Sequence, residues 1–164
     1  MKALVVYYTR TGTTKSAGQA IAGELKAAGH EVTVEEIIDK TKRSGIIGWL
    51  KAGRDAMRKY DTEIEPVKAD AGAFDIVVAG TPVWAWTATP AIRTFLTAHG
   101  AKMKKAAFFC TMGGSGDKGT FEQMEKVCGK KPMATLALKT RQVKKNEPGD
   151  FGAKVKEFIK QLTA

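Results

Sequence analysis

The chain has 164 residues, of which 43% are hydrophobic and 27% are charged, as in ordinary globular proteins. This length predicts one domain, residues 1–164, and no apolar run approaches the roughly 18 residues that a membrane span needs. The formal net charge of +10 suits nucleic acid, an anionic membrane surface or an acidic protein. Because no nucleic-acid-binding motif accompanies the charge, we expect no specific nucleic-acid partner.

Apolar runs predict five strands, at 3–8, 32–37, 75–81, 106–112 and, more weakly, 133–140. Helical periodicity between them predicts helices over 14–28, 45–59, 90–99 and 121–128, and a last helix after Asp150. The first, third and fourth strands are almost continuously apolar, as strands covered on both faces are. This alternation predicts an α/β fold in which helices flank a parallel sheet.

Three strand-to-helix loops have a distinctive chemistry: TRTGTT at 9–14, TPVWAWTAT at 81–89 and TMGGSGDKG at 111–119. In a parallel sheet such loops emerge at the carboxyl edge, where ligands bind at the point at which the winding direction reverses. We therefore expect the three loops to form one site.

The first loop offers four threonine hydroxyls, backbone N–H groups and the N-terminus of a helix, which together suit a terminal phosphate. Gly12 lets the backbone approach the anion closely, while Arg10 either adds charge or points to water. The GxxxxGK[ST] pattern is absent, which argues against a nucleoside triphosphate. The alternative is that the threonines only cap the helix.

TRTGTTKSA after an N-terminal strand resembles the phosphate loop of the flavodoxin family, and DIVVAGTPVWAWTATPAIRTFL resembles its third strand, second flavin loop and third helix. The resemblance covers the whole chain and, without an insertion in the fifth strand, is to the short-chain branch. It implies a three-layer αβα sandwich with a five-stranded parallel sheet in the order 2-1-3-4-5. It also implies flavin mononucleotide (FMN) as the cofactor.

The resemblance assigns three groups of residues to FMN, and because no HExxH, GxSxG or CxxC pattern occurs we expect no catalytic residue and no metal site. The phosphate group comprises Thr9, Arg10, Thr11, Gly12, Thr13 and Thr14. The group bordering the isoalloxazine ring comprises Pro82, Val83, Trp84, Ala85, Trp86 and Thr87. Backbone contacts on the opposite side come from Met112, Gly113, Gly114, Ser115 and Gly116. Either tryptophan can stack on the flavin or pack on a helix, and we expect at least one to face the ligand.

Two departures from the family bear on electron chemistry. Flavodoxins that carry single electrons typically have an aromatic residue in the third loop and a glycine beside the flavin in the second, and this chain has neither. Their absence leaves room for two-electron chemistry. Familiar flavodoxins are acidic, whereas this chain is basic, so we predict a less reducing flavin.

GSGDKG at 114–119 matches GxGxxG, which by itself is a weak sign of a dinucleotide. Such a site needs an acidic residue about 20 positions later, where Lys139 and Arg141 lie instead. We favour backbone contacts to the flavin, with a 2′-phosphate site near these cations as the alternative.

The chain has two cysteines, Cys110 and Cys128, and we expect both to be reduced thiols with a packing role. Because the sequence also shows no signal-peptide pattern, we expect a cytoplasmic protein.

We therefore expect an FMN-binding redox protein that transfers electrons between protein partners, which its charge suggests are acidic. The alternative is an NAD(P)H-dependent flavin enzyme that reduces quinones or other acceptors. A further alternative is a basic binding module without flavin. The segment 39–60, with Trp49 and its cations, is expected to cover the flavin or to dock an acidic partner.

Overall fold

The sheet is the centre of the molecule in this computed structural model, which describes residues 1–41, 45–57 and 61–164. Its strands are β1 (Lys2–Tyr8), β2 (Glu31–Ile37), β3 (Ile76–Trp84), β4 (Thr87–Ala88), β5 (Ala106–Met112) and β6 (Thr135–Lys139). The helices are α1 (Thr13–Ala27), α2 (Gly45–Met57), α3 (Pro90–His99), α4 (Asp117–Cys128), α5 (Thr140–Lys145) and α6 (Phe151–Thr163).

The strand order confirms the fold class that the sequence predicts. Within the described residues, five parallel strands lie in the order β2-β1-β3-β5-β6, and the short β4 pairs antiparallel with β3 alone. Counted without β4, this is the predicted order 2-1-3-4-5. The winding direction reverses between β1 and β3, so the carboxyl ends of these two strands form the switch point.

Helices cover both faces of the sheet and separate the core into two apolar clusters. Ile21 of α1 and Phe158 of α6 pack on one face, and Phe95 of α3 and Met124 of α4 pack on the other. Alternate residues of β1 enter opposite clusters, because successive side chains of a strand point to opposite faces. This arrangement is the predicted three-layer sandwich.

Close packing in the central strands depends on one glycine. A Cβ at Gly80 of β3 would lie 2.0 Å from Cζ of Phe109 in the adjacent β5. The absence of a side chain at Gly80 therefore makes room for the phenyl ring of Phe109 in the core. This ring packs on the sheet directly below the second loop.

Several element boundaries differ from the predictions. The strand predicted over 75–81 continues to Trp84 and folds back through β4, so much of the predicted loop at 81–89 is a hairpin. The helix predicted from 121 begins at Asp117, and α5 follows β6 without being predicted. The helix predicted over 45–59 is described from Gly45 to Met57, and its last two residues lie outside the described part of the chain.

Candidate functional site

The first loop turns into α1 at Gly12, which is the N-cap of the helix and has a φ of 87°. This left-handed conformation is one that a residue with a Cβ rarely adopts. The Gly12 N–H donates to Thr9 Oγ1 at 3.1 Å, and this bond closes the loop. The first N–H groups of an α-helix have no partner within the helix, so those of α1 are donors that a ligand at its N-terminus can use. The loop therefore has the geometry of an anion site.

The threonines of the first loop differ in burial. Thr13 and Thr14 are buried, whereas Thr11 is exposed and Thr9 is intermediate. The Thr14 hydroxyl lies 2.8 Å from the Thr111 hydroxyl near the end of β5. Because this buried pair spans two strands, Thr14 also fixes the position of the loop relative to the rest of the site.

Arg10 extends from the first loop toward α2. Its Nη2 donates to the Gly45 carbonyl oxygen at 3.4 Å. This contact matches neither of the two alternatives for Arg10, added charge at the phosphate or a side chain in water, because the guanidinium instead contacts the first residue of α2.

The second loop is a hairpin rather than an irregular segment. Val83 pairs with Ala88 and Trp84 with Thr87, and the turn between them consists of Ala85 and Trp86. Both turn residues have positive φ values, 48° and 60°. Consecutive left-handed residues match the twist of a two-residue hairpin turn, where glycine and asparagine are the usual choices. The loop thus reaches this conformation without the glycine that familiar flavodoxins have.

The two tryptophans of the hairpin have different environments. Trp84 packs edge-to-face against Tyr8 with ring centroids 5.6 Å apart. Trp86 is 68% exposed at the tip of the turn. Because the Trp84 ring already packs on Tyr8, Trp86 has the more accessible aromatic surface for a planar ligand.

The third loop lies against the second. A Cβ at Gly116 would lie 2.7 Å from Cγ1 of Val83 and 3.1 Å from Cα of Trp86, and Gly116 itself has a φ of 109°. Gly113 and Gly114 have nothing within 4 Å of an added Cβ. The glycines therefore let two loops meet and leave open backbone beside them, as backbone contacts to a ligand require.

Gln123 of α4 supports the site from a position that the sequence pattern does not indicate. The spacing of Thr120 and Gln123 predicts a capping box at the start of a helix, but α4 begins at Asp117, after its N-cap Gly116, so this prediction is wrong. The buried Gln123 Oε1 instead accepts from the Ala88 N–H at 2.9 Å and from the Thr87 hydroxyl. It therefore anchors the second loop to the helix that follows the third, a connection between residues 35 positions apart that no local pattern reveals.

A threonine pair closes the base of the second loop. The Thr81 and Thr89 hydroxyls lie 3.0 Å apart and both residues are fully buried. The Thr89 N–H also donates to Thr81 Oγ1 at 3.2 Å. The helix predicted over 90–99 has these bounds in the structure, with Thr89 as its N-cap and Pro90 as its first residue, although the Thr89 side chain makes no capping bond.

The cysteines are not arranged for redox chemistry. Burial raises the pKa of the Cys110 thiol to about 12, so at neutral pH it is protonated. Burial also raises the pKa of Cys128, whose Sγ lies 3.7 Å from Sδ of Met103. Both thiols are buried, which agrees with the packing role predicted for them.

These features together fit a ligand that has one phosphate and a flat aromatic ring. The first, second and third loops follow β1, β3 and β5, which are neighbours in the sheet. They offer hydroxyl and N–H donors at the first loop, an exposed indole at the second and open glycine backbone at the third. FMN has both chemical parts, and none of the residues at 9–14 is acidic, so no fixed negative charge opposes its phosphate.

A sequence model of a known family, described as flavodoxin, matches residues 2–147. The chain belongs to the flavodoxin family. No curated protein matches its sequence.

Solved flavodoxin-type structures share the fold at low sequence identity. A Lactobacillus acidophilus flavoprotein in complex with FMN has a TM-score of 0.70 and 22% identity, over 83% of this chain and 92% of that one. Oxidised flavodoxin 2 of Bacillus cereus has a TM-score of 0.63 and 17% identity, over 99% and 98%. Two-electron reduced Megasphaera elsdenii flavodoxin has a TM-score of 0.57 and 19% identity, over 94% and 98%. These similarities show that the sheet and helices of this chain are arranged as in known flavodoxin-type structures.

Proposed function

We propose that this flavodoxin binds FMN and transfers electrons between redox partners. The observation that supports it most is the meeting of the three loops at the switch point: the Thr14 hydroxyl of the first loop contacts Thr111 of the third, and Gly116 packs the third loop against the second. When bound, FMN supplies the electron-accepting ring. The protein holds the phosphate, orients the ring and limits access of water to it.

The proposed division of roles follows the geometry. The first loop binds the phosphate through hydroxyl and N–H donors at the N-terminus of α1. The hairpin residues Pro82, Val83, Trp84, Ala85, Trp86 and Thr87 border the ring, with Trp86 as the residue that stacks on it. Met112, Gly113, Gly114, Ser115 and Gly116 contribute the opposite side, mainly through backbone atoms.

Partner proteins with an acidic face suit the charge of the chain. A net charge of +10 raises the encounter rate with negatively charged proteins and does so most at low salt. We place this flavodoxin in the cytoplasm, where such partners and reduced thiols both occur.

The decisive experiment compares FMN with riboflavin, which has the same ring and no phosphate. We expect the purified chain to bind FMN at least a hundredfold more tightly than riboflavin in a fluorescence-quenching titration, because the first loop recognises the phosphate. Equal affinities would contradict the role of the first loop. A chain that binds neither ligand would support the alternative of a basic module without flavin.

Stopped-flow reduction separates the carrier from the enzyme. A carrier should be reduced slowly by NADPH or NADH alone and quickly when a partner reductase is added. Rapid bleaching of the bound flavin by NAD(P)H without any partner would favour the NAD(P)H-dependent enzyme instead.

A further inference from the structure

The outward face of α2 is the most exposed apolar surface of the described residues. Ile46, Ile47, Trp49 and Leu50 are 80%, 84%, 62% and 59% exposed, while Gly48 between them is buried. An amphipathic helix on a protein surface normally turns its large apolar side chains inward. Among the α2 side chains that the structure describes, the orientation is reversed: the helix is buried at Gly48, whereas Ile46, Ile47, Trp49 and Leu50 face solvent.

This clustering differs from ordinary surface exposure. Single exposed hydrophobic residues are normal, whereas contiguous apolar patches mark interaction surfaces. Outside α2, Trp86 is 68% exposed at the tip of the hairpin, and Met1, Val34, Ile38 and Met133 are exposed by 38–43%, but these five residues are spread along the chain. In α2, four large apolar residues lie within five consecutive positions, so they form one ridge.

Cations accompany the apolar ridge. Lys51 and Arg54 are exposed on the same helix. The sequence directly before and after α2 adds Lys42, Arg43, Arg58 and Lys59, which lie outside the described residues. A second copy of the chain has the same net charge of +10 and would be repelled, so the charge favours an anionic occupant.

We propose that α2 binds the surface of an anionic phospholipid membrane. Its Ile, Leu and Trp side chains would enter the boundary between headgroups and acyl chains, while Lys51 and Arg54 contact lipid phosphates. A protruding ridge of aliphatic residues and one tryptophan suits a deformable lipid surface, and tryptophan prefers the membrane interface. Among the helices described, none is long and apolar enough to cross a bilayer.

The position of α2 determines which side of the molecule would face the membrane. Its first residue, Gly45, accepts the hydrogen bond from Arg10 of the first loop, and the helix contacts β3 and β4. A membrane bound at α2 would therefore lie on the side of the molecule where the loops of the proposed flavin site emerge.

Vesicle co-sedimentation tests the proposal and needs no bound flavin. We expect the intact chain to sediment with phosphatidylglycerol-containing vesicles and not with phosphatidylcholine vesicles. Replacing Ile46 and Leu50 with glutamine should weaken binding to the anionic vesicles by about tenfold or more, since two apolar side chains leave the membrane. Replacing Lys51 and Arg54 with glutamine should weaken it by about 25-fold, because each cation near an anionic surface contributes about fivefold.

The matched control replaces Val34 and Met133 with glutamine, which removes two exposed apolar residues elsewhere. This control should bind vesicles as the native chain does, and circular dichroism should show that all variants are folded. Absence of binding to anionic vesicles would overturn the proposal, as would equal losses in the control and the Ile46/Leu50 variant. A salt-sensitive complex with an acidic redox protein through α2, without vesicle binding, would also overturn it in favour of protein docking.

Discussion

Gly12 shows how one residue sets the geometry of the first loop. Its left-handed φ of 87° turns the chain from β1 into α1, and an added Cβ would have nothing within 4 Å. The requirement for glycine is therefore conformational and not steric. A residue with a Cβ in this conformation costs about 1–2 kcal/mol, and the loop would relax toward a negative φ.

We expect Gly12→Ala to destabilise the protein by about 1–2 kcal/mol and to weaken FMN binding by at least tenfold, because the N–H donors move away from the phosphate. Chemical denaturation and an FMN titration measure the two effects. The control is Gly23→Ala in the exposed part of α1, where φ is not positive and nothing lies within 4 Å of an added Cβ. It should stabilise the chain by about 0.5–1 kcal/mol and leave FMN affinity unchanged; an equal loss of FMN affinity in both variants would contradict the role of Gly12.

His99 gives the stability of the protein a defined pH dependence. Its ring stacks on Phe95 with centroids 4.8 Å apart. Burial, and secondarily the charge of Lys102, lower the pKa of His99 from its ordinary value of 6.5, against the opposing effects of Asp70 and Glu35. The unfolded chain therefore binds a proton at a pH where the folded chain does not.

The stability contributed by neutral His99 is present above the unfolded-state pKa and is lost as the pH falls through 6.5 toward the folded-state pKa. We expect His99→Gln to be less sensitive than the native chain to a change from about pH 7.5 to about pH 5. Urea unfolding of both proteins at both pH values gives the difference attributable to His99. A native chain that loses no more stability than the variant on acidification would contradict the lowered pKa.

At the scale of elements, the second loop depends on α4. The buried Gln123 side chain accepts two hydrogen bonds from the hairpin, one of them from the Ala88 backbone. The same helix follows its N-cap Gly116, where the third loop lies against Trp86. The second and third loops are therefore held together by α4. A substitution in α4 should change the position of both loops, which lie on opposite sides of the proposed flavin site.

Gln123→Ala should destabilise the protein by about 1–3 kcal/mol because it leaves the buried Ala88 N–H without an acceptor. It should also weaken FMN binding, since the hairpin loses its anchor. Thermal unfolding and FMN titration measure the two effects. Glu122→Ala, on the exposed side of the same helix, should alter neither by a comparable amount. If Gln123→Ala bound FMN with native affinity, the hairpin would hold its position without α4.

At the scale of the whole molecule, net charge bears on the flavin potential. Reduction adds negative charge to the flavin, which a surface of net charge +10 favours and the acidic surface of familiar flavodoxins opposes. The final reduction step should therefore occur at a less negative potential than in an acidic member of the family.

Salt should reveal this effect. Raising the ionic strength from about 0.01 M to about 1 M shortens the Debye length from about 30 Å to about 3 Å. The potential of the bound flavin should then become more negative, whereas the same titration in an acidic flavodoxin should shift it the other way. Potentiometric titration measures both, with free FMN as the control for salt effects on the cofactor itself. A potential as low as that of an acidic flavodoxin at low salt would refute the argument.

Local patterns in the amino-acid sequence are enough to predict the fold class and the position of the three loops. Apolar runs with two-sided burial and helices with a 3.6-residue period are local patterns, and the parallel order follows from their alternation. TRTGTT indicated a phosphate loop because the glycine and the hydroxyls that such a loop needs are neighbours in the chain. The structure agrees with the fold and shows the geometry of that loop, while its ligand contacts stay a prediction.

Other features of the site depend on contacts between residues that are distant in the sequence and adjacent only in the folded chain. The different environments of Trp84 and Trp86 depend on Tyr8 and on the hairpin turn, which the loop composition did not reveal. The Gln123 anchor joins positions 35 residues apart. The face of α2 that meets the protein was also undetermined, because periodicity shows that a helix has an apolar side but not whether that side packs inward. Contacts between elements, and not local propensity, settle each of these points.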